Sequence, residues 1–209
     1  MKKGFYLKFM LACMTIMSVM ACSEPEQVDV LVVGGGASGV TAGIQSARMG
    51  VKTMIVEETP WLGGMLTAAG VSCVDGNYLM QSGIFGEFAD SLSARYGGAD
   101  ALKTGWVSNI NFDPHIGLEI FTNMTHACGD FLEVRREAYM TSVEGVEGDW
   151  IVGFRGADGR RFKVKADVLI DATELGDVAK ACGVEYRIGM EASSQTGEDI
   201  APDEANDVI

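Results

Sequence analysis

Three glycines at G-x-G-x-x-G spacing, Gly34, Gly36 and Gly39, and an acid 23 residues after the first, Glu57, are the residues of this 209-residue chain that could do chemistry together. That chemistry is recognition of a dinucleotide. Gly34 allows a tight turn, Gly36 lets the backbone approach a pyrophosphate, and Gly39 lets a helix pack closely on a strand. Gly35, Ala37 and Ser38 complete the loop whose N–H groups would face the phosphates. Glu57 is placed to accept hydrogen bonds from the adenosine ribose hydroxyls, and an acid there argues against a cofactor with a 2′-phosphate.

Such a loop works only if the right elements hold it. Val28–Val33 is a short apolar, β-branched run, as expected of a strand buried on both faces of a parallel sheet. Val40–Met49 is a helical segment of small and apolar residues, closed by Gly50, and Val51–Val56 reads as the second strand, ending at Glu57. The helix N-terminus offers unpaired N–H groups and a positive dipole end to phosphate. This β-α-β setting turns a weak glycine pattern into a strong one. It recognises the ADP half of a dinucleotide, which NAD and FAD share, and so leaves the choice between them open.

The residues that follow resemble the FAD-dependent oxidoreductases of the glutathione-reductase-like superfamily. Glu58-Thr59-Pro60-Trp61-Leu62-Gly63-Gly64-Met65 is similar to their loop after the second strand, where Gly63 and Gly64 would let the main chain pass close to the ribityl–pyrophosphate part of FAD. Strands around the Asp158-Gly159 turn read as a separate small antiparallel β-meander over about 131–165. It leads into Ile170-Asp171-Ala172-Thr173-Glu174-Leu175-Gly176-Asp177, which resembles the string Ile-Asp-Ala-Thr-x-x-Gly-Asp of a branch common among bacterial exported proteins. Phe112-Asp113-Pro114, and Gly183-Val184 through Tyr186-Arg187, Gly189 and Glu191, resemble the same branch; Met190 departs from it, standing where an arginine is usual. The resemblance implies an α/β, Rossmann-like FAD/NAD(P)-binding fold with a parallel central sheet, FAD as cofactor, and a small organic substrate. It also implies that Ala172 and Thr173 lie over the phosphate end, that Asp177 bonds a ribityl hydroxyl or its own loop, and that main-chain groups at Met140 hold adenine. The bare reading of Asp171 and Asp177 is capping and turn chemistry around a helix Val178–Cys182.

Between the two nucleotide-binding pieces, about 68–127, the spacing predicts helices over Ser82–Leu92 and Pro114–Cys128 whose Met and aromatic stripes face a core. His115 and His126 are the two histidines, each on or beside such a helix with no visible partner, so no catalytic residue is assigned and no metal site is expected. Cys73, Cys128 and Cys182 lack a CxxC and read as small buried hydrophobes.

The first 21 residues carry Lys2, Lys3, Lys8 and an apolar run Phe9–Met20, the layout of a secretory signal too short to span a bilayer. Val19-Met20-Ala21-Cys22 resembles a bacterial lipobox, which implies a lipid on Cys22, a polar tether over 22–27, and an exported protein bound to the membrane only through that lipid. The remainder carries 13 bases against 29 acids, a net −16, which gives no electrostatic footprint for nucleic acid. The domain then runs over 28–191. The tail 192–209 is acidic and reads as truncated, because the branch continues into a substrate domain and a piece that covers the flavin. The function expected is an oxidoreductase whose flavin takes a hydride from an organic substrate. The alternatives are a non-catalytic nucleotide-binding remnant and an NAD-linked dehydrogenase.

Overall fold

The computed structural model describes residues 24–75, 79 and 81–208. The signal segment 1–21 and Cys22 lie outside the described residues. Eight strands are present among these: β1 Glu26–Val33, β2 Thr53–Val56, β3 Cys73–Val74, β4 Ile110–Asn111, β5 Leu132–Arg135, β6 Ala138–Val146, β7 Asp149–Gly156 and β8 Arg161–Asp171. The α-helices are α1 Ala37–Arg48, α2 Gly83–Tyr96, α3 Pro114–His126, α4 Asp177–Ala181 and α5 Ser193–Thr196.

The glycine turn connects β1 to α1, and α1 returns the chain to β2, which pairs parallel to β1 with Val30 opposite Thr53. β8 lies parallel on the other side of β1, from Glu26 opposite Val164 to Val33 opposite Asp171. The six-stranded sheet runs β5-β2-β1-β8-β7-β6, parallel as far as β8 and antiparallel beyond it. This is the expected α/β fold.

Alternation along β1 divides the core. Val30 and Val32 face α1, α2 and α3, packing with Val40, Ile44, Phe88, Leu92 and Phe121. Leu31 and Val33 face the other way, into a second core with Met54 of β2 and with Val152, Phe154 and Val164 of the meander. Val30–Val33 of β1 and Thr53–Val56 of β2 are therefore buried on both faces, and that is why these central runs carry no charged residue.

Three expectations need correction. The meander does not stand apart as its own sheet: the eleven residues of β8 pair with β7 through their first part and with β1 through most of their length, so Ala166 lies opposite both Val28 and Trp150. Nor does its span begin near 131, because Leu132–Arg135 pairs with β2 on the far edge of the parallel sheet. Leu132 packs into the helix-side core, and covering the open edge of β2 outweighs continuing into the hairpin. Glu137, with φ of 57°, is the one non-glycine residue with positive φ among the described residues, and it separates β5 from β6. Finally, Glu26 and Gln27, expected in a tether, are already paired in the sheet.

The insertion forms the two expected helices. Asp113 caps α3 by accepting the His115 N–H at 2.8 Å, and Pro114 follows at the first helical position. Cys73 and Cys128 are half-buried and Cys182 is exposed, so the last does not serve as a core residue. Burial, only partly offset by Arg48, pushes the Cys128 thiol above its usual value. Met190, just before the acidic tail, and Asn206 within it exchange two backbone hydrogen bonds of 3.0 Å.

Candidate dinucleotide site

A cleft of about 720 Å³ opens at the C-terminal ends of β1 and β8, the place where open α/β sheets bind ligands. Its walls are the glycine turn, the loop after β2, the start of β6 and the turn from β8 into α4.

The glycine turn is held from both sides. Gly34 donates to Val56 O at 2.8 Å, and Ala172 donates to Val33 O at 2.8 Å. With φ of 102°, Gly34 occupies a region that side chains rarely enter, and a Cβ there would overlap the Ala172 carbonyl oxygen. Gly36 is different. Its φ is −62°, and a Cβ would meet only Glu174 Oε1, 3.5 Å away. The space left by its missing side chain is the cleft itself. Behind it α1 starts with no side-chain cap and no acid in its first turn, so its leading N–H groups have no side-chain acceptor at the helix start.

Glu57 is buried at 7% exposure at the end of β2. Its Oε2 accepts the Gly35 N–H and its Oε1 accepts the Thr59 N–H at 2.8 Å. The carboxylate thus ties the glycine turn to the following loop while lining the cleft beside the exposed Glu58. The same loop is drawn in by the Gly63 N–H, which bonds Gly35 O at 2.8 Å. Of the glycine pair, only Gly64 lines the cleft, with Met65. Gly63 faces inward, where a Cβ would press on Thr67 and Phe121 at 2.7 and 2.8 Å.

The opposite wall depends on side chains. Asp171 Oδ1 accepts the Thr173 N–H at 3.0 Å and its hydroxyl at 2.7 Å, while Oδ2 accepts the Ala179 N–H at 2.8 Å. Thr173 Oγ1 in turn accepts the Asp177 N–H at 2.7 Å. Burial works against ionisation of Asp171, but the hydrogen bonds from Ala179 and Thr173 prevail and hold its carboxyl below the usual aspartate value. The turn and capping role read for Asp171 is what the geometry shows. Asp177 takes part through its backbone, while its side chain lines the cleft.

Of the residues singled out by sequence, Gly34, Gly36, Glu57, Glu58, Gly64, Met65, Met140, Ala172, Thr173 and Asp177 converge on the cleft. Gly35, Ala37, Ser38, Gly39 and Gly63 do not line it. Gly39 packs α1 against the turn, where a Cβ would overlap Gly34 O. His115 lies edge-on to Trp61 with ring centroids 4.7 Å apart, and neither histidine lines the cleft. Sequence reasoning missed Tyr139, Glu174, Leu175 and Lys180. Glu174 and Leu175 are the two unspecified positions of the string after Thr173, so their place beside the motif was the available signal. Among the described residues, no group of three or more His, Cys, Asp or Glu is placed to hold a metal ion.

Fold and cleft together define a Rossmann-like dinucleotide-binding protein with a meander layer, and comparison with known proteins narrows the class. The family described as FAD dependent oxidoreductase matches residues 29–207, and the chain belongs to it. Its cofactor is FAD. Curated relatives include a mitochondrial dihydrolipoyl dehydrogenase of Dictyostelium discoideum, 38% identical over 72 residues, covering 34% of this chain and 14% of the relative. Sarcosine oxidase subunit beta of Rhodobacter capsulatus is 28% identical over 137 residues, covering 63% of this chain and 30% of the relative. Among solved structures, a flavoprotein/dehydrogenase from Cytophaga hutchinsonii superposes with a TM-score of 0.58 at 20% identity, over 79% of this chain and 44% of that one. A p-nitrophenol 4-monooxygenase from Pseudomonas putida gives 0.54 at 14% identity, over 80% and 46%. These likenesses show the fold. The chain spans less than half the length of each of these proteins.

The residues present fit FAD. The open side of Gly36, the uncapped start of α1 and the approach of Gly64 make a cradle that a pyrophosphate would fill and a side chain would block.

Proposed function

We propose that the cleft holds FAD in an extended form, as part of an oxidoreductase acting on a small organic molecule. The observation that supports this most directly is Gly36, whose missing side chain opens on the cleft at the start of an uncapped helix. In this reading the N–H groups of Ala37 and Ser38 bind the pyrophosphate, and Glu57 accepts from the adenosine ribose beside Glu58. Adenine lies against the main chain at Ala138–Met140. Ala172 and Thr173 cover the phosphates, Asp177 orients the ribityl chain, and Gly64 with Met65 marks the path toward the flavin. When bound, the flavin would supply two-electron, hydride-accepting chemistry. The chain's own contribution is to bind, orient and tune.

The test is whether the purified chain retains FAD, read by flavin absorbance and fluorescence. Gly36→Val should abolish retention while the fold persists. If wild type and variant retain FAD equally, this turn is not the cradle.

We further propose that the protein is exported and anchored to the envelope by a lipid on Cys22, on the strength of Val19-Met20-Ala21-Cys22. Cys22→Ser should abolish lipid labelling and release the protein from the membrane fraction. Unchanged labelling would rule the anchor out.

A further inference from the structure

We infer that residues 184–188 form a self-complementary strand through which two copies of this chain pair about a two-fold axis. The inference goes beyond the reading of the cleft and does not depend on what the cleft binds.

The sequence Gly183-Val184-Glu185-Tyr186-Arg187-Ile188-Gly189 alternates apolar and charged residues between two glycines. Both glycines have positive φ, 77° and 86°, so each turns the chain and sets an end to the run. At the first, α4 closes as the Val184 N–H bonds Ala179 O at 3.0 Å; just after the second, Met190 is tied to Asn206. Between these held ends, residues 184–188 pass without turn or bend. Their backbone is unpaired among the described residues: no N–H of residues 185–188 and no C=O of residues 184–188 has a hydrogen-bond partner. On the apolar side Val184, Tyr186 and Ile188 remain 56%, 58% and 56% exposed. A straight, period-2 segment with free backbone groups and an uncovered apolar face is a strand without a sheet.

The complement of this strand is the strand itself. Antiparallel pairing centred on Tyr186 sets Val184 opposite Ile188 of the second copy, Tyr186 opposite Tyr186, and Glu185 opposite Arg187, the last pair twice. Every apolar residue then meets an apolar one, and each acid meets a base. Moving the centre to Glu185 or Arg187 puts like charges directly opposite, and so does parallel pairing in register. Arg187 bonds Glu191 through Nε and Gln195 through Nη1, each at 3.0 Å, which leaves Nη2 for Glu185 of the second copy. A two-fold contact uses the same edge of each copy and closes at two. With three apolar side chains per copy it falls short of the ~1,600 Å² of a standard interface, so the pairing is weak.

Sedimentation of the full chain over a range of concentrations should show a reversible monomer–dimer equilibrium in the micromolar range. Glu185→Arg places base opposite base twice, and Arg187→Glu places acid opposite acid twice. Each alone should weaken association by about tenfold or more. Mixed in equal amounts, the two variants set acid against base at both positions, so heterodimers should form about as well as wild type pairs with itself. Recovery on mixing cannot come from a fold damaged by either substitution. Wild type that stays monomeric overturns the inference, whether the strand is left open or another segment covers it. A dimer that both single substitutions leave intact, or one that mixing fails to restore, overturns the pairing centred on Tyr186 and the inference with it.

Discussion

Two turns face each other across the cleft, Gly34–Gly39 after β1 and Asp171–Asp177 after β8. Each stands at the C-terminal end of neighbouring parallel strands and each feeds a helix, yet they are built by opposite means. The first works through side chains that are absent: Gly34 and Gly39 bring backbone into contact, and Gly36 leaves a space. The second works through side chains that are present, with Asp171 and Thr173 holding the chain by four hydrogen bonds. A turn made of glycines tolerates almost no change at its contact positions. A turn made of hydrogen bonds weakens by degrees.

The largest effect is expected where the two turns touch. Gly34→Ala places a methyl against Ala172 O at a φ of 102°, and should cost about 3 kcal/mol or more in a urea-denaturation experiment. A loss below 1 kcal/mol would show that the walls can part without strain.

Gly36→Val comes next and separates binding from folding. Its Cβ meets only Glu174 Oε1, so stability should change by less than about 1 kcal/mol. FAD affinity should fall by more than a hundredfold, as two or three charge-assisted hydrogen bonds of about 1.5–3 kcal/mol each become unreachable. Calorimetric titration beside denaturation would reveal whether the two glycines really differ.

Glu57→Ala should act on both properties at once. It removes the proposed ribose contact, a milder loss than that of Gly36→Val because water replaces part of it. It also strips the Gly35 N–H of its acceptor, which should cost about 1–3 kcal/mol. A variant of unchanged stability would mean that Glu57 faces only the ligand.

The smallest effect is expected on the side-chain wall. Asp171→Asn should cost about 1 kcal/mol near neutral pH, since the group is only partly shielded from water. Its folded carboxyl titrates below the ~3.9 of an unfolded aspartate, so its contribution is complete above that value and is lost as pH falls through the lower folded one. The stability gap between wild type and variant should therefore stay level above about pH 5 and close in more acidic solution. A gap that widened on acidification would contradict the hydrogen-bond account.

The glycine wall was legible in sequence because its signal is local. Spacing, flanking apolar strands and the acid after β2 all lie within 30 residues, and each type has a single physical reason to be there. The other wall was legible only by resemblance around Asp171–Asp177, and the two positions that the motif leaves unspecified, Glu174 and Leu175, went unnoticed although both line the cleft. Gly63 shows a finer limit. The pair Gly63-Gly64 reads as one feature, yet one glycine faces the cleft and the other makes room for Phe121, from a helix more than 50 residues away.

What the sequence determined by itself was the β-α-β unit, the dinucleotide turn and the apolar faces of the two inserted helices, because hydrophobic period and glycine spacing act over a few residues. The tertiary structure alone decided that Leu132–Arg135 joins the parallel edge and leaves the meander, that β8 serves both halves of the sheet, and that Glu57 holds Gly35. Those outcomes depend on which open edge or unpaired donor is nearest once the core has closed, and residues far apart in the chain meet only then.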